Sequence, residues 1–320
     1  MFILDQENWS HVFSLPKEAI PTPFRAVLRG IGQIFFQENA LTGSFCAVGI
    51  AVSSLPMAAG AIAGSAIGMA TARVLRFDQA EVNAGIYSSN ATLVGIATLF
   101  FFRPGAASIA MLVIGCVAAA LVTRLLRALL PVPTFTSPFF LTTWALYFLG
   151  PALGAVGVEL EGRPVAAGFV EAVAHGISQA LFQANVWTGI LCIVGIALSD
   201  WRHASWAVVG SIVGIMVANY HVTTAARALD PERLIERAFS ENIALGLYSY
   251  NTILPAIALF RWTRSLMPPL LGILLSVPLT ELVPMLGLPA LSAPNVVATW
   301  LVLTLGFVEE RAFDEQAATP

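Results

Sequence analysis

The chain has 320 residues, 57% of them apolar and 11% charged, with a formal net charge of -3. A soluble domain carries roughly 25% charged residues, so this composition excludes a water-soluble fold of this size. The mildly acidic balance offers no basic surface for nucleic acid, and no such partner is expected.

Charges are also clustered. None falls in 39–72, 82–102, 128–158, 242–260 or 282–308. About 20 mostly apolar residues carry a helix across a bilayer, so these runs predict an all-α polytopic membrane protein. The dyad alternation of a membrane β-barrel is absent.

Residues 1–24 read as a polar arm with Pro16, Pro21 and Pro23; Met1–Ser10 is polar and acidic, without a basic n-region and apolar h-region, so no cleavable signal peptide is expected. A helical pattern then leads into Gln33-Ile-Phe-Phe-Gln-Glu-Asn-Ala-Leu-Thr-Gly43, too polar for plain membrane helix and too apolar for a loop. Ala40–Ala72 is an uncharged run broken at Ser53–Pro56. Its Gly60, Gly64 and Gly68 form the small-xxx-small pattern of close helix packing. After the charged stretch Arg73–Glu81 comes Asn83-Ala-Gly-Ile-Tyr-Ser-Ser-Asn-Ala-Thr-Leu-Val-Gly95, continuing apolar to Phe102. Arg103-Pro-Gly105 turns the chain, and Ala106–Leu130 is a plain spanning helix. Pro131–Phe139 is a Pro- and Thr-rich break before another apolar helix.

The second half replays this order. At an offset of 146 residues, Gln179-Ala-Leu-Phe-Gln-Ala-Asn-Val-Trp-Thr-Gly189 copies the first motif, as QxxFQxNxxTG. A span over Ser205–Tyr220 and a charged loop over Arg227–Glu241 follow. Gly246, Tyr248, Ser249, Asn251 and Leu254 then match Gly85, Tyr87, Ser88, Asn90 and Leu93. Pro289–Pro294 with Thr299 and Trp300 matches Pro133–Pro138 with Thr143 and Trp144. Three polar motifs in one order establish a duplication, with halves at 25–158 and 159–308 and a tail at 309–320. Five spanning segments and a shorter one per half would invert the second half relative to the first, a plan that puts a transport site at the repeat interface. The Lys/Arg distribution does not set which side faces the cytoplasm.

No metal-ligand cluster, nucleophile elbow or phosphate loop appears, so no cofactor, metal or enzymatic activity is expected. Cys46, Cys116 and Cys192 read as buried small hydrophobes. His175 reads as a boundary or structural group, and His203 and His221 as interfacial ones. Intramembrane charges mark ion coupling, and their scarcity argues against a pump or symporter. The motifs instead bring neutral Gln, Asn, Thr, Ser and Tyr beside Phe and Leu. In hydrocarbon such groups are either glue between helices or the lining of a wet path. Three matched clusters, each beside a Pro or Gly that breaks a helix, favour a pore for a small, neutral, planar, amide-like solute.

The doubled QxxFQxNxxTG segment, the segments Gly85–Leu93 and Gly246–Leu254, and the PxxTxPF segment Pro133–Phe139 together resemble the urea transporter family, from about Phe24 to Phe307. The resemblance implies two inverted halves, each with five spanning helices and a re-entrant helix, and a pore at their interface. It also implies uncoupled, channel-like diffusion of urea, and a homotrimer with one pore per protomer in the lipid bilayer of a bacterial-type inner membrane. Carried onto this sequence, the pore residues are Gln33, Ile34 and Phe36 from the first copy and Gln179, Ala180 and Phe182 from the second. Phe36 with Leu254 and Phe182 with Leu93 would wall the solute, which would cross between Thr136 and Ser292, and Tyr250 keeps the aromatic before the motif Asn. Departures from the family pattern are Ser292 for Thr, Asn295 for Phe and Ser89 for an aromatic. Gln179 stands where some relatives carry Glu, and Ala180 is smaller than the usual Val. These changes bear on the width of one pore end and on selectivity. The rival readings are a channel for another small neutral solute (short amides, ammonia, water) and a structural or sensory membrane protein whose polar motifs only hold helices together.

Overall fold

The computed structural model describes residues 22–158, 168–229, 245–263 and 265–317, and every regular element among them is helical. The first half comprises α1 (Thr22–Gly32), a 3-10 turn (Gln33–Phe35), α2 (Ala40–Ser53), α3 (Leu55–Val74), α4 (Gln79–Ala84), α5 (Ile86–Phe101), α6 (Ala106–Leu129) and α7 (Ser137–Leu149). The second comprises α8 (Phe169–Gln179), α9 (Val186–Ser199), α10 (Trp201–Leu229), α11 (Ser249–Thr263), α12 (Met267–Met285) and α13 (Ala293–Ala317). Among the described residues each half has a short lead helix and five longer ones, and the first half adds the six-residue α4. Helix α13 runs past residue 308, where the second half was expected to end. The arm over 1–21 and the loop over 230–241 lie outside the described residues, as does the side chain of His221.

Among the described residues four segments are long and apolar enough to span a bilayer: α3, α6, Trp201–Tyr220 of α10, and α12. Helices α2, α5, α7 and α9 have only 13 to 16 residues, about 20–24 Å at 1.5 Å per residue. That is less than the roughly 30 Å of hydrocarbon. Each of these short helices begins at one of the repeated polar motifs. Asn39 Oδ1 caps α2 by accepting from Leu41 N at 2.8 Å, and Asn185 Oδ1 caps α9 by accepting from Thr188 N at 3.0 Å. Helices α5 and α11 follow Gly85 and Gly246, whose φ angles of 83° and 77° favour glycine. A Cβ there would also stand 2.5 Å from Gly30 N or 2.6 Å from Gly176 N. The motifs therefore place helix ends, with their free backbone groups, inside the protein.

Gly60, Gly64 and Gly68 seat α3 on α5, as their spacing predicts: Cβ atoms there would lie 2.4–2.8 Å from the α5 backbone or the Ala91 methyl.

The halves meet where α2 packs on α9, and the bonds there are reciprocal. Thr42 Oγ1 donates to Gly195 O at 2.7 Å, and its repeat partner Thr188 Oγ1 donates to Gly49 O at 2.6 Å. Trp144 Nε1 donates to Pro289 O and Trp300 Nε1 to Pro133 O, both at 2.8 Å. Swapping the halves exchanges the partners, so a pseudo-two-fold axis relates them. Thr42→Val or Thr188→Val removes a buried hydrogen bond between the halves, worth about 0.5–1.5 kcal/mol. Each variant should lower the thermal unfolding temperature of the detergent-solubilised protein, and the pair should lower it further.

Candidate functional site

The site is built on the two copies of the opening motif. Phe36 N donates to Gln33 O and Phe182 N to Gln179 O, both at 2.9 Å. These turns put Phe36 and Phe182 at φ 59° and 61°, a left-handed conformation uncommon for aromatic residues. The second Gln of each motif braces the turn. Gln37 Nε2 donates to Phe35 O at 2.7 Å, and Gln183 Nε2 to Leu181 O at 2.9 Å. Behind the brace, Gln37 bonds His203 Nδ1 at 3.1 Å, where Gln183 meets Met57 Sδ at 3.5 Å. His203 is 6% exposed, so the structure buries a residue expected at the interface. The sequence marks both Gln of the motif alike; only the fold shows that the second braces the turn.

A cavity of about 390 Å³ opens between the halves. Seven of the expected residues line it: Leu93, Gln179, Ala180, Phe182, Tyr250, Leu254 and Ser292. The Phe182 ring meets Phe100 at 4.8 Å, Phe139 at 6.0 Å and Phe101 at 6.3 Å between centroids, all edge-on. These three rings line the same cavity, and sequence reasoning missed them, because a Phe in an apolar run carries no signal of its own. The other four expected residues occupy the symmetry-related region. Gln33 Nε2 donates to Ala84 O at 3.0 Å. Ile34 is buried in the core. Phe36 packs edge-on against Phe135 at 5.8 Å. Thr136 is buried at the start of α7.

No charged side chain is among the lining residues, and the polar ones divide into two sets. Tyr250 Oη donates to Leu291 O, Tyr248 Oη to Glu281 Oε1 at 3.3 Å, and Thr280 Oγ1 to Ser276 O at 2.8 Å. Gln179 Oε1 and Ser292 Oγ are buried without a partner, and so is the Thr136 hydroxyl. An unpaired buried polar group costs about 1–3 kcal/mol; of these three atoms, Gln179 Oε1 and Ser292 Oγ belong to cavity-lining residues.

The departures from the repeat are visible in the wall. In the first half, Asn90 Nδ2 donates to Phe135 O at 3.2 Å, and Asn90 Oδ1 accepts from Phe139 N at 3.1 Å. In the second, Asn295 Nδ2 donates to Asn251 Oδ1 at 3.1 Å, and Tyr250 takes the carbonyl of Leu291. The polar side chain of Asn295 thus occupies Asn251, and the Tyr hydroxyl does the work of the Asn amide.

Helical halves paired about a pseudo-two-fold, around a cavity walled by rings and neutral hydrogen-bonding groups, define a multi-pass membrane transport protein for an uncharged solute. The urea transporter family model matches residues 24–307, and the chain belongs to that family. Urea transporter 1 of Capra hircus is 25% identical over 307 residues, covering 87% of this chain and 76% of that protein. Urea transporter 1 of Ovis aries is 25% identical over 309 residues with the same coverage. That of Mus musculus is 25% identical over 254 residues, 73% of this chain and 62% of that protein. The activity of the chain is transport of urea across a membrane.

Proposed function

We propose that the chain is a urea channel, conducting by facilitated diffusion down the gradient with no coupling ion. The observation that carries this reading is the uncharged cavity, in which Gln179 Oε1 and Ser292 Oγ are buried without partners beside the Phe182 ring. Urea is flat, neutral and carries four N–H donors around one carbonyl. Entering the slot strips its water. Gln179 Oε1 accepts one N–H, Ser292 Oγ accepts another or donates to the urea carbonyl, and the faces of the molecule lie against Phe182 and Leu93. Thr136 Oγ1 and Gln33 Oε1 take over on the Phe36 side. An ion would lose its hydration for dipoles alone, which costs far more. In this reading residues 25–158 and 159–308 form one membrane domain. By its family resemblance the protein is a homotrimer, one pore per protomer, in a bacterial-type inner membrane.

Stopped-flow light scattering on proteoliposomes tests the reading. Urea entry should exceed that of empty liposomes at least tenfold and rise with the urea gradient alone, unchanged when proton and sodium gradients are collapsed. Correctly folded protein that conducts no faster than lipid would sink it.

A further inference from the structure

Met57 and His203 stand at matched positions, at the same offset of 146 residues as the opening motif. Each backs the second Gln of the motif in the opposite half. Gln183 Nε2 meets Met57 Sδ at 3.5 Å, and Gln37 Nε2 meets His203 Nδ1 at 3.1 Å. A thioether does not titrate, whereas an imidazole changes charge between about pH 5 and about pH 8. The His203 ring is buried, edge-on to Phe260 at 6.2 Å. A proton taken up there acts directly on its few neighbours.

The amide of Gln37 is fully engaged. Its Nε2 carries two hydrogens, one directed to Phe35 O at 2.7 Å and the other to His203 Nδ1. This arrangement needs a bare Nδ1, and therefore a neutral ring. Gln37 Oε1 lies 3.3 Å from the same ring nitrogen. Protonation makes both ring nitrogens donors. The Nδ1–H then opposes the amide N–H, and only Oε1 can answer it. The amide must rotate to present its oxygen, which draws the bond to Phe35 O off line. The next carbonyl is held from the other side, where Arg261 Nη1 donates to Phe36 O at 3.3 Å. A charged ring adds a second cation beside Arg261 and works against that bond as well. Phe36 depends on both, because its φ of 59° is uncommon for an aromatic residue.

The charges that act on the ring are those of Asp200, Arg202 and Arg261. Asp200 is shared with Arg202, whose Nε lies 3.3 Å from Oδ1. Beside Gln37, Glu38 is paired with Arg29 at 3.6 Å. Helices α2 and α9 carry no charged residue, and α11 carries only Arg261. Glu281 of α12 is bonded to Tyr248. Glu171 and His175 of α8 flank Val173, whose carbonyl accepts from Ser211 Oγ, about 12 Å further along α10 at 1.5 Å per residue.

We propose that His203 is a positioning residue for the Phe36 end of the pore, holding that wall through Gln37 only while its ring is neutral. Acid loosens the Phe36 end, and the Phe182 end, backed by Met57, does not respond. The proposal rests on the channel reading, in which Phe36 walls the solute.

Stopped-flow urea uptake by proteoliposomes, with the same buffer on both sides, tests it. Wild-type flux should fall about fivefold or more from about pH 8 to about pH 5, and recover when neutral buffer is restored. His203→Met installs the residue that the other half uses, and there the ratio of flux at the two ends of the range should return to about one. His203→Gln serves the same purpose if the Met variant does not fold. A merely structural histidine predicts a lowered unfolding temperature in the variants and no pH profile in the wild type. Wild-type flux that is flat across the range, or a fall that survives replacement of His203, overturns the proposal while the channel reading stands. Folded wild-type protein that conducts urea no faster than lipid at any pH overturns the channel reading, and this proposal with it.

Discussion

Thr136→Val combined with Ser292→Ala should cut urea flux by about a hundredfold and leave the unfolding temperature unchanged or raised. Both hydroxyls are buried and have no partner in the protein. They sit at matched positions after Phe135 and Leu291, whose φ angles of 47° and 43° fix where the following residue points. Removing an unpaired hydroxyl relieves a desolvation cost of about 1–3 kcal/mol, so stability does not suffer. For urea the sign reverses. In the proposed channel each hydroxyl would replace water on the desolvated solute, and the loss of roughly 1.4 kcal/mol at the crossing would slow passage about tenfold. A purely structural role for these residues predicts the opposite split, with stability lost and flux per folded protein intact. Stopped-flow urea uptake and thermal unfolding of the same preparations separate the two.

The hydroxyl pair also shows what was legible in the sequence. Thr136 and Ser292 stood out through repeated motifs, because duplication gives every polar residue a second witness. The reciprocal clasps of Thr42 with Gly195 and Thr188 with Gly49 follow from that symmetry, as do the left-handed Phe36 and Phe182. The helical class and the close packing at Gly60, Gly64 and Gly68 were legible because composition and glycine spacing act locally; that the partner is α5 was not.

The unread parts are those where the two halves differ or where helices are apolar on every side. Phe100, Phe101 and Phe139 lie on helices whose sequence does not separate a pore face from a lipid face. His203 looked interfacial by its place at a segment end, yet it is buried against Gln37, a partner 166 residues away. The Asn295–Asn251 bond reads in the sequence only as a missing Phe. In the structure it is a repair, giving Asn251 Oδ1 a partner where the first half uses the backbone of Phe139.

Gly43→Ala should cut transport more than tenfold by a different route, through the packing of α1 on α2. Helices α1 and α2 cross so closely at Gly43 that a Cβ would stand 1.8 Å from Leu28 O and 2.6 Å from Leu28 C. Both atoms are backbone, so no side chain can swing away. Bringing the oxygen contact to even 3.0 Å parts the helices by about 1.2 Å. Overpacking of this kind costs about 1–3 kcal/mol or more. The displacement falls one turn before Gln33–Phe36, so the wall of the slot moves with it. We expect urea flux to drop more than tenfold, together with a lowered unfolding temperature. Gly189→Ala should behave alike, since its Cβ would lie 2.2 Å from Ala174 O. Gly306→Ala is the control. It lies in α13 with nothing within 4 Å of an added Cβ, and alanine there should add about 0.5–1 kcal/mol through helix propensity. Three single-methyl additions thus separate a glycine required by close approach from one that is not: flux and stability fall together at Gly43 and Gly189, and neither falls at Gly306.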